Sequence, residues 1–185
     1  MSRHFTRLAE GIAVGPLLDE LAHNSELWGQ ERGRTGLRLS PHRESLDIWV
    51  RYRETPPADI HEAFASTWWP AWRVLPALRP LVFSLMRRVE ATHLGGILLT
   101  KLPPGGRIHP HHDRGSWHAE FHNCKLYVCL AGNGGCINRF GEGLEEEFVM
   151  RPGEAWAFDN QTVHECLNLG ATERLSAIIS MRVEP

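Results

Sequence analysis

The sequence predicts a mainly β fold with flanking helices, of the jelly-roll kind. From Leu94 onward, short runs of β-forming residues alternate with clusters of Gly, Pro and Asn, the spacing of a barrel or double-sheet roll. Turn signals such as Pro103-Pro104-Gly105-Gly106, Gly132-Asn133-Gly134-Gly135 and Arg151-Pro152-Gly153 supply a fixed or positive φ where the chain must reverse. Before Leu94 the apolar spacing is mostly helical, which provides helices to cover a sheet face that would otherwise be wet.

In order along the chain, Val14 to His23 has helical apolar spacing, and Leu46 to Arg53 (LDIWVRYR) alternates apolar and polar residues as a strand does. Pro57 to Trp69 again has helical spacing. Pro76 to His93 is long enough for a helix and is entered through prolines, which suit a first helical turn. The β-forming runs that follow are GGILLTKL, RIHPHHD, CKLYVCL, CINRF, EEFVM, EAWAFD, HECLNL and ERLSAIISMRV. Eight short strands of this kind build a jelly roll.

At 185 residues the chain is long enough to bury a core without disulfides or structural metal, so the expectation is a single domain over 1–185. Residues 1–93 form its helical and strand part, packed on a β-roll core over 94–185. A formal charge of -2 provides no basic field, so no nucleic acid or anionic membrane surface is expected as partner. No stretch approaches the ~20 apolar residues of a membrane span, and the first residues lack a signal peptide's apolar run, so the expected location is the cytoplasm. The four cysteines form no CxxC pair and read as free thiols. Histidine is the unusual residue: of eleven, His109, His111, His112, His118 and His122 crowd into one short stretch.

Within that stretch, His111 and Asp113 are two apart on a strand, so both side chains leave the same face while His112 leaves the other. The only downstream histidine, His164, stands at a strand start 51 residues beyond Asp113. Two imidazoles and one carboxylate on one octahedral face leave three positions open, the arrangement of non-haem Fe(II) oxygenases. An isolated HxD also occurs by chance on surfaces, and its surroundings separate the two readings. Pro152-Gly153 turns into EAWAFDN, then His164, and Arg174 follows ten residues later on the next strand. A guanidinium there matches the distal carboxylate of 2-oxoglutarate in a bidentate contact. Taken alone, Arg174 reads better as an exposed sheet residue paired with Glu173 or Glu154, and it is the combined spacing that favours the cosubstrate role.

Residues Gly95 to Val183 resemble the aspartyl/asparaginyl β-hydroxylase family of Fe(II)/2-oxoglutarate oxygenases. The resemblance is carried by Pro110-His111, by Phe158-Asp159-Asn160 leading to His164-Glu165, and by Arg174 with its apolar strand. Ser40 to Arg53 is also similar to the N-terminal part of small bacterial and phage members. The resemblance implies a cupin-like double-stranded β-helix, with Fe(II) as metal, 2-oxoglutarate as cosubstrate and O2 as oxidant. It also implies Thr100, eleven residues before His111, as a hydroxyl that contacts 2-oxoglutarate. Two departures stand out. Familiar animal members have glycine in place of Asp113, and the carboxylate here argues for hydroxylation and against halogenation. An Arg and a His of the family's next strand are replaced by Tyr127 and Cys129; Tyr127 is a third candidate for the cosubstrate site.

The loop Arg114 to Asn123 follows the metal clip directly, which positions Trp117, His118 and His122 at the pocket mouth, with His122 or Trp117 expected to touch substrate. Asp47 and Arg51, four apart on a strand, are expected to share a face, reaching the open end or pairing with each other. The Glu145-Glu146-Glu147 run reads as a solvated edge, and Trp68, Trp69 and Trp72 as packing residues. The function implied is hydroxylation of an aliphatic carbon in an amino-acid unit, free, carrier-bound or peptidyl, with succinate and CO2 as coproducts. The alternative is a cupin-type metal-binding protein, a sensor or non-2-oxoglutarate enzyme, which has no use for an arginine placed as Arg174 is. A silent binding domain is disfavoured by the intact triad.

Overall fold

The computed structural model describes residues 2, 4–54 and 63–184. The chain starts with β1 (Phe5–Ala9) and helix α1 (Gly15–His23). It continues through β2 (Leu46–Tyr52), the two-residue β3 (Thr67–Trp68), and helices α2 (Ala71–Val74) and α3 (Leu78–Arg88). Then come β4 (Ala91–Leu102), β5 (Arg107–His111), the short helix α4 (Trp117–Phe121), β6 (Cys124–Ala131), β7 (Cys136–Phe140), β8 (Glu146–Val149), β9 (Ala155–Phe158), β10 (His164–Asn168) and β11 (Arg174–Val183). Each of the eight β-forming runs after Leu94 is a strand, β4 to β11.

The strands form two antiparallel sheets, one of seven in the order β1-β9-β6-β11-β4-β2-β3 and one of four in the order β5-β10-β7-β8. Strand alternation sorts their side chains. On β4, β6 and β11 of the large sheet, Ile97, Leu99, Leu126, Val128, Ala177 and Ile179 face outward, where they pack with Leu17 and Leu21 of α1 and with Leu78, Val82 and Leu85 of α3. Fully burying each such side chain contributes about 1.5–3 kcal/mol, which anchors the helices to this face. The intervening residues point into the roll. There Trp49, Leu98 and Ile178 form one small apolar cluster, and Leu102, Ile108 and Cys166 form another.

The structure corrects several expectations. Residues 57–62 of the expected Pro57 to Trp69 helix lie outside the described residues, and its end is strand: Thr67 and Trp68 pair with Tyr52 and Arg51. Helix α3 stops at Arg88 instead of His93, because Glu90 adopts φ 54 and turns the chain into β4. Asp47 and Arg51 do not share a face. The β2–β4 register shifts between Trp49 and Arg51, so Asp47 points into the roll while Arg51 donates to the Gly95 carbonyl at 2.9 Å and lies over Trp68. β1 carries no strong strand signal of its own; it becomes a strand by pairing with β9 at the sheet edge, Phe5 opposite Phe158. No helix among the described residues is long and apolar enough to cross a membrane.

Candidate metal centre

β5 and β10 are antiparallel neighbours, and their register sets His164 directly opposite His111. Asp113 follows two residues beyond His111, and the ligand atoms of all three side chains lie within 4.8 Å of one another. The imidazole centroids are 4.3 Å apart. Nδ1 of His111 meets the His109 carbonyl at 2.8 Å, and Nδ1 of His164 meets the Thr162 carbonyl at 2.9 Å. A carbonyl only accepts, so each Nδ1 carries the proton and each Nε2 keeps its lone pair. Burial, with the neighbouring His164, lowers His111 to about 3, and burial also lowers His164. Both rings are therefore neutral and ready to coordinate at neutral pH. The donor set fits Fe(II) as a two-histidine, one-carboxylate face.

Asp113 is held from two sides. Its N–H donates to the Asn160 carbonyl at 2.9 Å, and its Oδ2 accepts from Asn160 Nδ2 at 3.2 Å and from the Lys125 ammonium. Burial pushes its carboxyl up, but Lys125 and His164 outweigh that and hold it well below the usual carboxylate range. The Phe158-Asp159-Asn160 motif thereby gains physical roles. Phe158 packs against the His164 ring at 5.6 Å. Asp159 organises the turn into β10 by accepting from Gln161 N–H at 2.9 Å and Thr162 Oγ1 at 2.6 Å.

The three residues expected at the cosubstrate come together deeper in the roll. Arg174, Thr100 and Tyr127 line one small pocket with Leu102, Ile108, Cys166 and Ser176. Arg174 is only 3 % exposed. It donates to Asn138 Oδ1 at 2.8 Å, Ser176 Oγ at 3.3 Å and the Cys166 sulfur, and its guanidinium lies 5.7 Å from the Tyr127 ring centre. Glu173 pairs with Lys101 and Glu154 with Arg7, and among the described residues no carboxylate pairs with Arg174. Burial pushes the Tyr127 phenol up to about 12, so it is a neutral donor. Thr100 Oγ1 donates to Asp47 at 3.1 Å and accepts from Arg34 at 3.2 Å, while Arg34 grips Asp47 through two bonds of 2.8 and 2.9 Å.

His111 and Asp113 line a cavity of about 420 Å³, together with Arg34, His42, His118 and Lys125. His42 packs edge-on against His111 at 4.7 Å. The two residues expected to touch substrate lie apart from this lining. Trp117 stacks on Phe121 at 5.0 Å, and His122 is buried with its Nδ1 on the His118 carbonyl. His118 takes the place at the cavity instead, stacked on Phe64 at 4.7 Å, and among the described residues neither of its ring nitrogens has a hydrogen-bond partner. The pair Gly95-Gly96 makes room for these rings: a Cβ on Gly95 would meet His122 Cδ2 at 2.6 Å, and one on Gly96 would meet His118 Nε2 at 3.2 Å. Of the residues sequence reasoning passed over, Lys125 was findable, being in phase with Tyr127 on β6. Arg34 sits in a loop with no pattern to mark it, and His42 lies in the Ser40 to Arg53 stretch without a spacing that ties it to the metal ligands.

Residues 71–183 match the family described as aspartyl/asparaginyl beta-hydroxylase. A search of curated proteins finds no significant match to the chain. Among solved structures, a prolyl hydroxylase from Trichoplax adhaerens, in complex with a hypoxia inducible factor peptide fragment, superposes with a TM-score of 0.63 at 12% identity, over 98% of this chain and 84% of that one. A viral collagen prolyl hydroxylase from Paramecium Bursaria Chlorella virus-1, a 2OG complex, has a TM-score of 0.57 at 12% identity, over 98% of both chains. An oxidoreductase of the 2OG-Fe(II) oxygenase family from Burkholderia pseudomallei has a TM-score of 0.54 at 13% identity, over 75% of this chain and 66% of that one. At these identities the likeness is one of fold, the double-stranded β-helix. The sequence match spans more than half of the chain, and the chain belongs to the aspartyl/asparaginyl β-hydroxylase family of Fe(II)- and 2-oxoglutarate-dependent oxygenases.

Proposed function

We propose that the protein hydroxylates an aliphatic carbon of an amino-acid unit, free, carrier-bound or peptidyl, with Fe(II) held by His111, Asp113 and His164. The observation that carries this reading is that one interior holds both a two-histidine, one-carboxylate face and a buried arginine, Arg174, with no carboxylate partner among the described residues. A buried guanidinium without an anion is costly, and a dicarboxylate cosubstrate spanning from the metal to Arg174 relieves that cost. Thr100 and Tyr127 supply a hydroxyl and a phenol beside the same guanidinium. When bound, iron supplies the oxidative chemistry that converts 2-oxoglutarate and O2 to succinate and CO2 and hydroxylates the substrate carbon.

The protein's own residues position and enclose. The backbone carbonyls of His109 and Thr162 orient the two imidazoles, and the apolar wall of Trp49, Leu98 and Ile178 keeps water from the interior. A peptide-like substrate is supported by the Trichoplax adhaerens neighbour, which holds a peptide fragment. A cupin-type sensor or non-2-oxoglutarate enzyme leaves Arg174 unexplained. The test is anaerobic addition of Fe(II) and then 2-oxoglutarate, followed by visible absorption. A weak charge-transfer band from the chelate is expected, and its absence in metal-loaded protein overturns the reading.

A further inference from the structure

The inner face of β6 carries a cation beside the candidate ligands for which the hydroxylase reading has no role. Lys125 lies opposite Phe158 on one neighbouring strand and Ser180 on the other. Its side chain is 18 % exposed, with Nζ 5.7 Å from the Phe158 ring centre, and the ammonium donates to Oδ2 of Asp113. Asn160 Nδ2 donates to the same oxygen at 3.2 Å. Oδ2 therefore has two donors, one of them charged. Oδ1 faces the other ligands, 3.9 Å from His111 Nε2.

This asymmetry matters because a carboxylate binds a metal through one oxygen or through both. A single-oxygen Asp113 with two imidazoles leaves three of six octahedral positions, enough for a chelating cosubstrate and O2. A two-oxygen Asp113 leaves two, one short. A fixed cation near a divalent metal also repels it, more strongly in a desolvated interior than in water. We propose that Lys125, together with Asn160, is a positioning residue that holds Asp113 to one coordinating oxygen, keeping the cosubstrate position open at the expense of tighter metal binding. The inference rests on the triad being the metal site.

The experiment uses the full chain and Co(II), whose visible d–d spectrum reports coordination number. Co(II) affinity and spectrum are measured for the wild type, Lys125→Met and Lys125→Arg, and 2-oxoglutarate is then titrated into each Co(II)-loaded protein. Lys125→Met is expected to bind Co(II) about tenfold tighter or more, to show a changed d–d spectrum, and to bind 2-oxoglutarate about tenfold more weakly. Lys125→Arg, which retains the charge and the donor, is expected to match the wild type in all three. A Lys125→Met protein with an unchanged spectrum and unchanged or weaker Co(II) affinity overturns the inference, as does a Lys125→Arg protein that behaves like Lys125→Met. If the wild type binds no Co(II), the triad reading falls and the inference falls with it; if it binds, only the role of Lys125 is at stake.

Discussion

His111 and His164 face each other in register across β5 and β10, and the Nδ1–H of each donates to the carbonyl two residues before it. The same local device is thus used twice. Each ring is oriented by the backbone just before it, on β5 for His111 and in the turn into β10 for His164, so Nε2 of both rings is set before any metal arrives.

Replacing either ring with alanine should therefore remove metal binding altogether. His164→Ala and His111→Ala are expected to weaken Co(II) or Fe(II) binding by more than the ~10–100-fold typical of losing an outer partner. Isothermal titration reads this directly. Retention of wild-type affinity in His164→Ala would place the metal elsewhere.

Arg174→Met should separate the two halves of the site. Losing charge-assisted hydrogen bonds worth about 1.5–3 kcal/mol is expected to weaken 2-oxoglutarate binding roughly 10–100-fold while leaving Co(II) affinity near wild type. Asn138 Oδ1 also loses its buried donor, so stability should fall by about 1–3 kcal/mol. Unchanged 2-oxoglutarate affinity would leave Arg174 a purely structural residue.

His118 makes the metal-free fold sensitive to acid. Burial, with His122 beside it, lowers its pKa in the folded chain to about 3, from the ordinary imidazole value of about 6.5. Above that ordinary value it is neutral in both states, and its contribution to stability is complete. As pH falls below it, the unfolded chain takes up the proton first, and stability drops until about pH 3 with a slope near 1.4 kcal/mol per pH unit. His42 and His122 are lowered as well and act in the same direction. Urea unfolding at pH 7 and pH 5 should show a smaller loss in His118→Phe than in wild type; equal losses would contradict this account.

The glycine pair on β4 should respond unequally to substitution. Gly95→Ala forces a Cβ to 2.6 Å from the His122 ring, whereas for Gly96→Ala the nearest atom, on Tyr52, is at 3.1 Å. Overpacking of this kind costs about 1–3 kcal/mol, so Gly95→Ala is expected to melt at the lower temperature of the two. The reverse order in thermal unfolding would disprove the packing argument.

Much of this site was legible because its parts are local. An HxD that begins on the last residue of β5, the Phe158-Asp159-Asn160 run and a histidine at the next strand start are patterns of a few residues each. The placement of the expected substrate residues was not legible for a reason equally local to state: His118 and His122 are both buried, but His122 is seated against Gly95 while His118 lines the cavity, and a loop sequence does not reveal which of two histidines four apart will line it. The Asp47–Arg51 expectation failed because a bulge changes strand phase without a sequence mark.

Strand alternation and turn chemistry by themselves determined the eight strands from Leu94 onward and the common direction of His111 and Asp113, and the residue types determined the chemistry they can perform. Only the tertiary structure decided what each charge rests against. Arg34 reaches Thr100 across 66 residues, Lys125 reaches Asp113 from another strand, and Arg174 finds Asn138, Ser176 and a sulfur in place of a carboxylate. Those pairings depend on sheet register and closure, in which residues remote in sequence become neighbours, and a buried charge takes its partner from space and not from the chain beside it.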